Sequence, residues 1–332
     1  MAKLVAWSWA PAAITAVAAV PAAVLTATDV QAGAAATLGV LPAAAVGIPS
    51  RRRHRVVLLV AGPLLGLSMM LGSLVSSTPV LALVTIFALA VGSVRLARVP
   101  RWARLGTLTT ALVLPMVGIG LSFDGIDTTL RLTGLFTAGS AVVWLLSLLL
   151  PSTPGADRPR QPAPPAGYGY LLGAVGVVTA AIGFALDLDH VGWACAAALL
   201  VMRPDPQLQW WRTTGRFVSV VAGAALATSL VYLDPPQQVY CLVFPVVIGL
   251  AAGIHGSRFY LLPLFTTFFV ILLLGYSDLA VAQSRLLERV GETALGLGAA
   301  AVIGVAGPAV FARARRDANR RAGARDVKLQ VK

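Results

Sequence analysis

Residues 51–98 read RRRHRVVLLVAGPLLGLSMMLGSLVSSTPVLALVTIFALAVGSVRLAR. A basic cluster leads into an apolar run, 56–76, about as long as one helical crossing of a bilayer core. A Ser-Ser-Thr-Pro turn then reverses the chain, and a second apolar run, 80–97, delivers it to Arg95 and Arg98. Two crossings return the chain to the side it left, and that side is where the arginines collect. The same alternation runs from Leu4 to Phe311, with basic residues in every second gap and acidic residues in the others.

Composition agrees. At 58% hydrophobic and 12% charged, with a mean hydropathy of +0.82, most of the 332 residues must have lipid as their solvent. In hydrocarbon every backbone N–H and C=O has to be satisfied within the chain, so unbroken apolar stretches read as helices, and no ten-residue alternation suggests a barrel. The fold expected is an all-α polytopic membrane protein of twelve helices: 4–26, 31–49, 56–76, 80–97, 105–122, 131–150, 168–186, 190–203, 215–233, 237–254, 258–275 and 289–311. Residues 1–32 imitate a secretory signal, with Lys3 before an Ala/Val-rich core, but the spans that follow make it a retained first helix. Cys195 and Cys241 lie inside apolar runs, where a thiol acts as a small hydrophobe.

Charge sets the orientation. Lys3, Arg51, Arg52, Arg53, Arg55, Arg95, Arg98, Arg101, Arg104, Arg158, Arg160, Arg203, Arg212, Arg216, Arg258 and eight residues from Arg313 to Lys332 hold 23 of the 26 Lys and Arg on one side. Asp29, Asp124, Asp127, Asp187, Asp189, Asp234 and Asp278 take the other side, with Arg131, Arg285 and Arg289 as its basic members. The positive-inside bias places the basic side and both termini in the cytoplasm of a bacterial plasma membrane. The net charge of +13 then reads as contact with anionic membrane lipids, and nucleic acid is not expected as a partner. A homo-oligomer is compatible with the sequence.

The Pro-rich stretch 151–167, PSTPGADRPRQPAPPAG, divides the chain into a first membrane unit, 1–150, and a second, 168–311, followed by a basic tail, 312–332. Features recur across it in register. Asp29 and Asp187 lie 158 positions apart, as do Arg131 and Arg289, while Arg55 and Arg216 lie 161 apart, each seven residues before a glycine. Six spans per unit is an even number, so both units start from the same side, as two parallel six-helix repeats. The second helix of each unit is broken or short, 31–49 by Gly39 and Pro42, and 190–203 by its length, which points to a translocation site.

The run Met202-Arg203-Pro204-Asp205, then Gln209-Trp210-Trp211-Arg212 and Gly215-Arg216, is the densest polar feature near a membrane boundary. Guanidiniums beside indoles suit a planar carboxylate, and equally suit anchoring at the lipid interface. Arg131, Arg289 and Glu292 open helices near the acidic side. An ionisable group inside a span costs on the order of 3 kcal/mol, so it needs a partner or a wet cavity. Arg289 and Glu292, three residues apart, can form a local ion pair; alternatively Arg131 and Arg289 are paired cationic posts in an anion path. His190 reads as a polar cap. The substrate-binding set is therefore Arg203, Asp205, Trp211, Arg212, Arg216, Arg131, Arg289 and Glu292. No nucleophile elbow, zinc-protease motif or phosphate-binding loop occurs, so neither catalysis, metal nor cofactor is expected, and transport would be passive or driven by an ion gradient.

From Arg203-Pro204-Asp205 through Arg216 to Gly223-Ala224-Ala225, the chain resembles the FUSC family, the fusaric acid resistance and aromatic acid exporter group of bacterial inner-membrane proteins. Arg289 before Thr293 and Gly296 repeats the theme. The resemblance is clearest over 168–310. Ser219-Val220 stands where many members have Gly-Thr, and the linker replaces a sizeable cytoplasmic domain found in larger members. It implies a permease exporting amphipathic organic anions such as aromatic carboxylates. The rivals are a passive anion channel and a scaffold subunit of an envelope-assembly complex.

Overall fold

The computed structural model describes residues 6–123, 125–152, 163–255, 257 and 260–330, with the side chains of 305–306 and 308–330 outside the described set. Lys3, Asp124, Arg158, Arg160, Arg258 and Lys332, used in the charge count, lie outside it, as do most of the linker and the side chains of the tail. The described chain is helical throughout, without a strand.

In order the helices are α1 (Trp9–Ala18), α2 (Val20–Thr26), α3 (Val30–Leu38), α4 (Leu41–Val46), α5 (Val56–Ser76), α6 (Pro79–Arg98), α7 (Ala103–Leu108), α8 (Leu114–Gly120), α9 (Ile126–Ser147), α10 (Tyr168–Ala185), α11 (Val191–Val201), α12 (Pro206–Leu233), α13 (Gln237–Gly253), α14 (Leu262–Gly275) and α15 (Leu279–Gln330). A five-residue π-turn, Thr109–Val113, joins α7 to α8. The apolar run 56–76 and α5 coincide. Twelve full-length crossings are not what the helices provide. Among the described residues six are long and apolar enough to cross a bilayer, seven if α1 and α2, bent by 44°, count as one. Val30–Val46, Val191–Val201, Gln237–Gly253 and Leu262–Gly275 are shorter.

The reasons are local. Pro42 has no N–H to continue α3 and its ring clashes one turn back, so the helix breaks at Gly39-Val40 and restarts as α4. Eleven residues make α11 about 16 Å long, half of a ~30 Å hydrocarbon core. Ten of those eleven residues are buried, so protein surrounds this half-length helix, as backbone at membrane depth requires.

The bundle has two ends, and hydrogen bonds between loops define them. At one, Ala6 N–H donates to Ser257 Oγ, Arg52 N–H to Ser152 Oγ, Arg95 to the Tyr170 hydroxyl, and the Tyr168 hydroxyl to Met202 O. At the other, Gln237 donates to Thr26 O, Ser73 Oγ to Phe123 O, and Gly192 N–H to Ser122 Oγ. The first end holds Arg51 to Arg55, Arg95 to Arg104 and Arg203; the second holds Asp29, Asp127, Asp187, Asp189, Asp234 and Asp278.

Neighbour relations recur across the linker. The α2/α3 pair is matched by α10/α11, α5/α9 by α12/α15, and α5/α8 by α12/α14. Between the units, α1 and α2 pack on α13 as α10 packs on α6, and α3 on α14 as α11 on α8. Close helix approach recurs too. A Cβ on Gly139 would lie 2.2 Å from Gly39 O, and one on Gly296 would lie 2.3 Å from Ala194 O.

Arg55 is a structural clamp. It is 1% exposed, and its guanidinium donates to five carbonyls, those of Pro49, Ser50, Ser147, Leu150 and Pro151. Ser147 ends α9, and Leu150 and Pro151 follow it, so the guanidinium ties this helix end to the segment before α5. Replacing Arg55 with methionine should cost about 3 kcal/mol, because it strands buried acceptors and retains the bulk. Thermal unfolding in nanodiscs, with a drop of several degrees, checks this.

Candidate functional site

Polar residues in the second unit fall into two groups. At the basic end, Asp205 caps α12, its Oδ1 accepting from Gln207 N–H at 2.9 Å and Leu208 N–H at 3.5 Å. It is exposed and occupied with the helix end. Arg203 is half-buried and turns back to Met202 O. Arg212 stacks over the Tyr260 ring at 5.0 Å, Trp211 is half-buried, and Trp210 is 67% exposed. These residues line the boundary. Arg216, one turn deeper, leaves them and is 4% exposed.

Depth follows from register. Gln209 Nε2 donates to Ala300 O at 2.8 Å, pinning α12 to α15. Seven residues inward from each partner of that antiparallel pair are Arg216 and Thr293, at about 10 Å of rise from the pin. Glu292, 4% exposed, sits at that level, and Arg289, 6% exposed, one turn beyond it lies within the repulsive field of Arg216. Packing of α11, α12 and α15 encloses this buried polar cluster, the chamber.

Its polar atoms are unspent. Among the described residues, Arg216 Nε, Arg289 Nε, both Glu292 oxygens and Thr293 Oγ1 are buried without a hydrogen-bond partner. The ion pair expected between Arg289 and Glu292 is therefore absent; pairing at that spacing occurs instead one turn earlier, between Arg285 and Glu288. Arg289 finds only an aromatic face, its guanidinium carbon 4.2 Å from the centre of the Trp193 ring. Trp193 also stacks on His190, 4.0 Å between centroids.

Above the chamber a cleft of about 430 Å³ opens at the acidic end, lined by Asp187, Asp189, Ser284, Glu288, Gly291 and Glu292. Its rim is tied together by ion pairs. Arg285 bridges Glu288 at 2.5 Å and Asp189 at 2.9 Å, and His190 Nδ1 meets Glu288 Oε1 at 2.5 Å. Hydrogen bonds to Glu288 and Asp189 hold Arg285 charged more firmly than in water. His190 is thus a partner of Glu288 and gives no side-chain cap to α11. Glu292 touches both spaces, forming the floor of the cleft and one wall of the chamber. Among the described residues no group of three or more His, Cys, Asp or Glu is placed to hold a metal.

Arg131 does not join this cluster. It is exposed on α9, whereas Arg289, 158 positions later, is buried, and the position equivalent to Glu292 is Gly134. Arg55, the counterpart of Arg216, is saturated by carbonyls. The paired cationic posts are therefore not formed, and among the described residues the buried charged atoms without a partner lie in the second unit. Trp193 escaped the sequence reading, and Thr293 entered it only through the family resemblance, not as a site residue. Trp193 lies in an apolar run, and only its three-residue spacing from His190 hinted at a shared face.

Residues 177–303 match the family model described as fusaric acid resistance protein-like. The resemblance seen at Arg203, Arg216 and Arg289 holds over this segment, which contains Trp193, Arg216, Arg289, Glu292 and Thr293. No curated protein and no solved structure matches the chain.

Proposed function

We propose that the chain is a permease of a bacterial plasma membrane, with cytoplasmic termini, that moves amphipathic organic anions such as aromatic carboxylates outward. One observation carries this reading: the Nε atoms of two buried arginines and a threonine hydroxyl lie inside the second unit without a hydrogen-bond partner. Burial of a charge without a partner is costly, and natural membrane proteins retain it where a ligand or ion completes the site. A carboxylate would take the open donors of Arg216, Arg289 and Thr293, and an attached ring would find the indole of Trp193.

The surroundings fit an outward path. Arg203 and Arg212 raise the local concentration of anions at the basic end, while Asp187, outside the ion pairs of the rim, repels anions arriving from the other side. The half-length α11 puts no full helix between chamber and cleft. Recurring neighbour pairs support 1–150 and 168–311 as two parallel six-helix repeats, of which the second carries the site and the first packs against it. Matching of 177–303 to the fusaric acid resistance protein-like model supports an exporter.

Efflux of radiolabelled aromatic carboxylates from cells expressing the chain tests the proposal. Faster efflux than from cells with an empty vector is expected; equal rates would refute it. Gln209→Leu should slow the same efflux severalfold, because it unpins α12 from α15 and shifts Arg216 against Arg289.

A further inference from the structure

The chamber has an imbalance of charge. Arg216 faces it from α12; Arg289 and Glu292 face it from α15. Of the other ionisable groups, Tyr260 holds Arg216 from the segment before α14, Glu288, Asp189, Arg285 and His190 pair among themselves at the rim, and Asp187 lies on the cleft wall. Helix α14 contributes none, α10 only Tyr168 and Tyr170 at its far end, and α11 only Cys195. We infer that Glu292 sets the valence of the anion the chamber accepts. An ionised Glu292 offsets one of the two guanidiniums, leaving a single positive charge that a monoanion completes. A neutral Glu292 leaves two, which a dianion completes.

Position supports this role. Both carboxylate oxygens lie buried without a hydrogen-bond partner among the described residues, so no structural bond is lost when the charge changes. Glu292 also lines the cleft, through which a proton can reach it from the acidic end. The inference rests on the permease reading, and its test separates the two.

Purified protein in vesicles is loaded with 2-naphthalenesulfonate or 2,6-naphthalenedisulfonate, and efflux of each is followed by fluorescence. Sulfonates stay ionised throughout, so any change with pH reports on the protein. At about pH 8 the monoanion should leave at least about tenfold faster than the dianion, the effect of one unmatched charge at short range in a partly screened site. Lowering the pH to about 5.5 should reduce that ratio. Glu292→Gln should reverse it and make it independent of pH, which excludes His190 and Glu288 as its source; Glu292→Asp should keep the wild-type order. An unchanged ratio in Glu292→Gln, or pH dependence that survives the substitution, overturns the inference while leaving transport standing. Should the glutamine variant fail to fold, a wild-type ratio flat across the pH range overturns it equally. Flux of neither probe above that of protein-free vesicles would overturn the permease reading and this inference together.

Discussion

Replacing Arg289 with alanine is expected to lower anion flux through reconstituted protein at least about a hundredfold while leaving the fold no less stable. A charged contact to a carboxylate in a desolvated site contributes about 3 kcal/mol, equivalent to that factor. Stability should not fall in parallel. Arg289 Nε bonds to nothing, so truncation strands no acceptor there, and it relieves repulsion with Arg216. Loss of the stacking on Trp193, worth about 1 kcal/mol, opposes that relief. Arg289→Lys keeps the charge but loses the planar fork, and should recover part of the flux. Vesicle flux and thermal unfolding measured on one preparation check both halves; parallel loss of flux and stability would make Arg289 a structural residue.

Two glycines of α15 provide the second large effect. A Cβ on Gly296 would meet Ala194 O at 2.3 Å and the Ala197 side chain at 3.0 Å, whereas a Cβ on Gly298 meets nothing within 4 Å. Gly296→Val should therefore force α15 away from α11 and separate Arg289 from Trp193. Overpacking against backbone costs about 3 kcal/mol or more, because a carbonyl cannot rotate aside as a side-chain tip does. Flux should be abolished and folded yield should fall. Gly298→Val, on an open face two residues later, should match the unaltered chain in both. Size-exclusion profiles and vesicle flux of the pair are the check, and equal behaviour would contradict the packing described.

Much of the helical order was legible, because apolar run length and turn residues act locally. The run 56–76 and helix α5 coincide, and Gly39 with Pro42 marked the break in the second helix. What surrounds a helix was less legible. Run length does not distinguish lipid from protein as the neighbour, so α11 read as a short crossing, and its almost complete burial did not show. For the same reason Arg131 and Arg289 appeared equivalent. Their spacing places them at the same level of matching helices, but packing on each helix decides which faces inward, and Gly134 leaves Arg131 without a companion for Glu292. Arg55 and Arg216 diverge likewise. Three carbonyls from the end of α9 and two from the segment before α5 consume the first, whereas the second meets the Tyr260 side chain and keeps its Nε open. The polar run 203–216 was compact in sequence, yet one helical turn divides its boundary residues from Arg216.

The most direct test of the anion chamber is a crystal structure with 4-iodobenzoate bound, in which anomalous scattering locates the iodine. The carboxylate is expected between Arg216 and Arg289, with the iodinated ring against Trp193. An iodine signal confined to the boundary near Arg212 and Tyr260, or to the seam between the two units, would contradict the account.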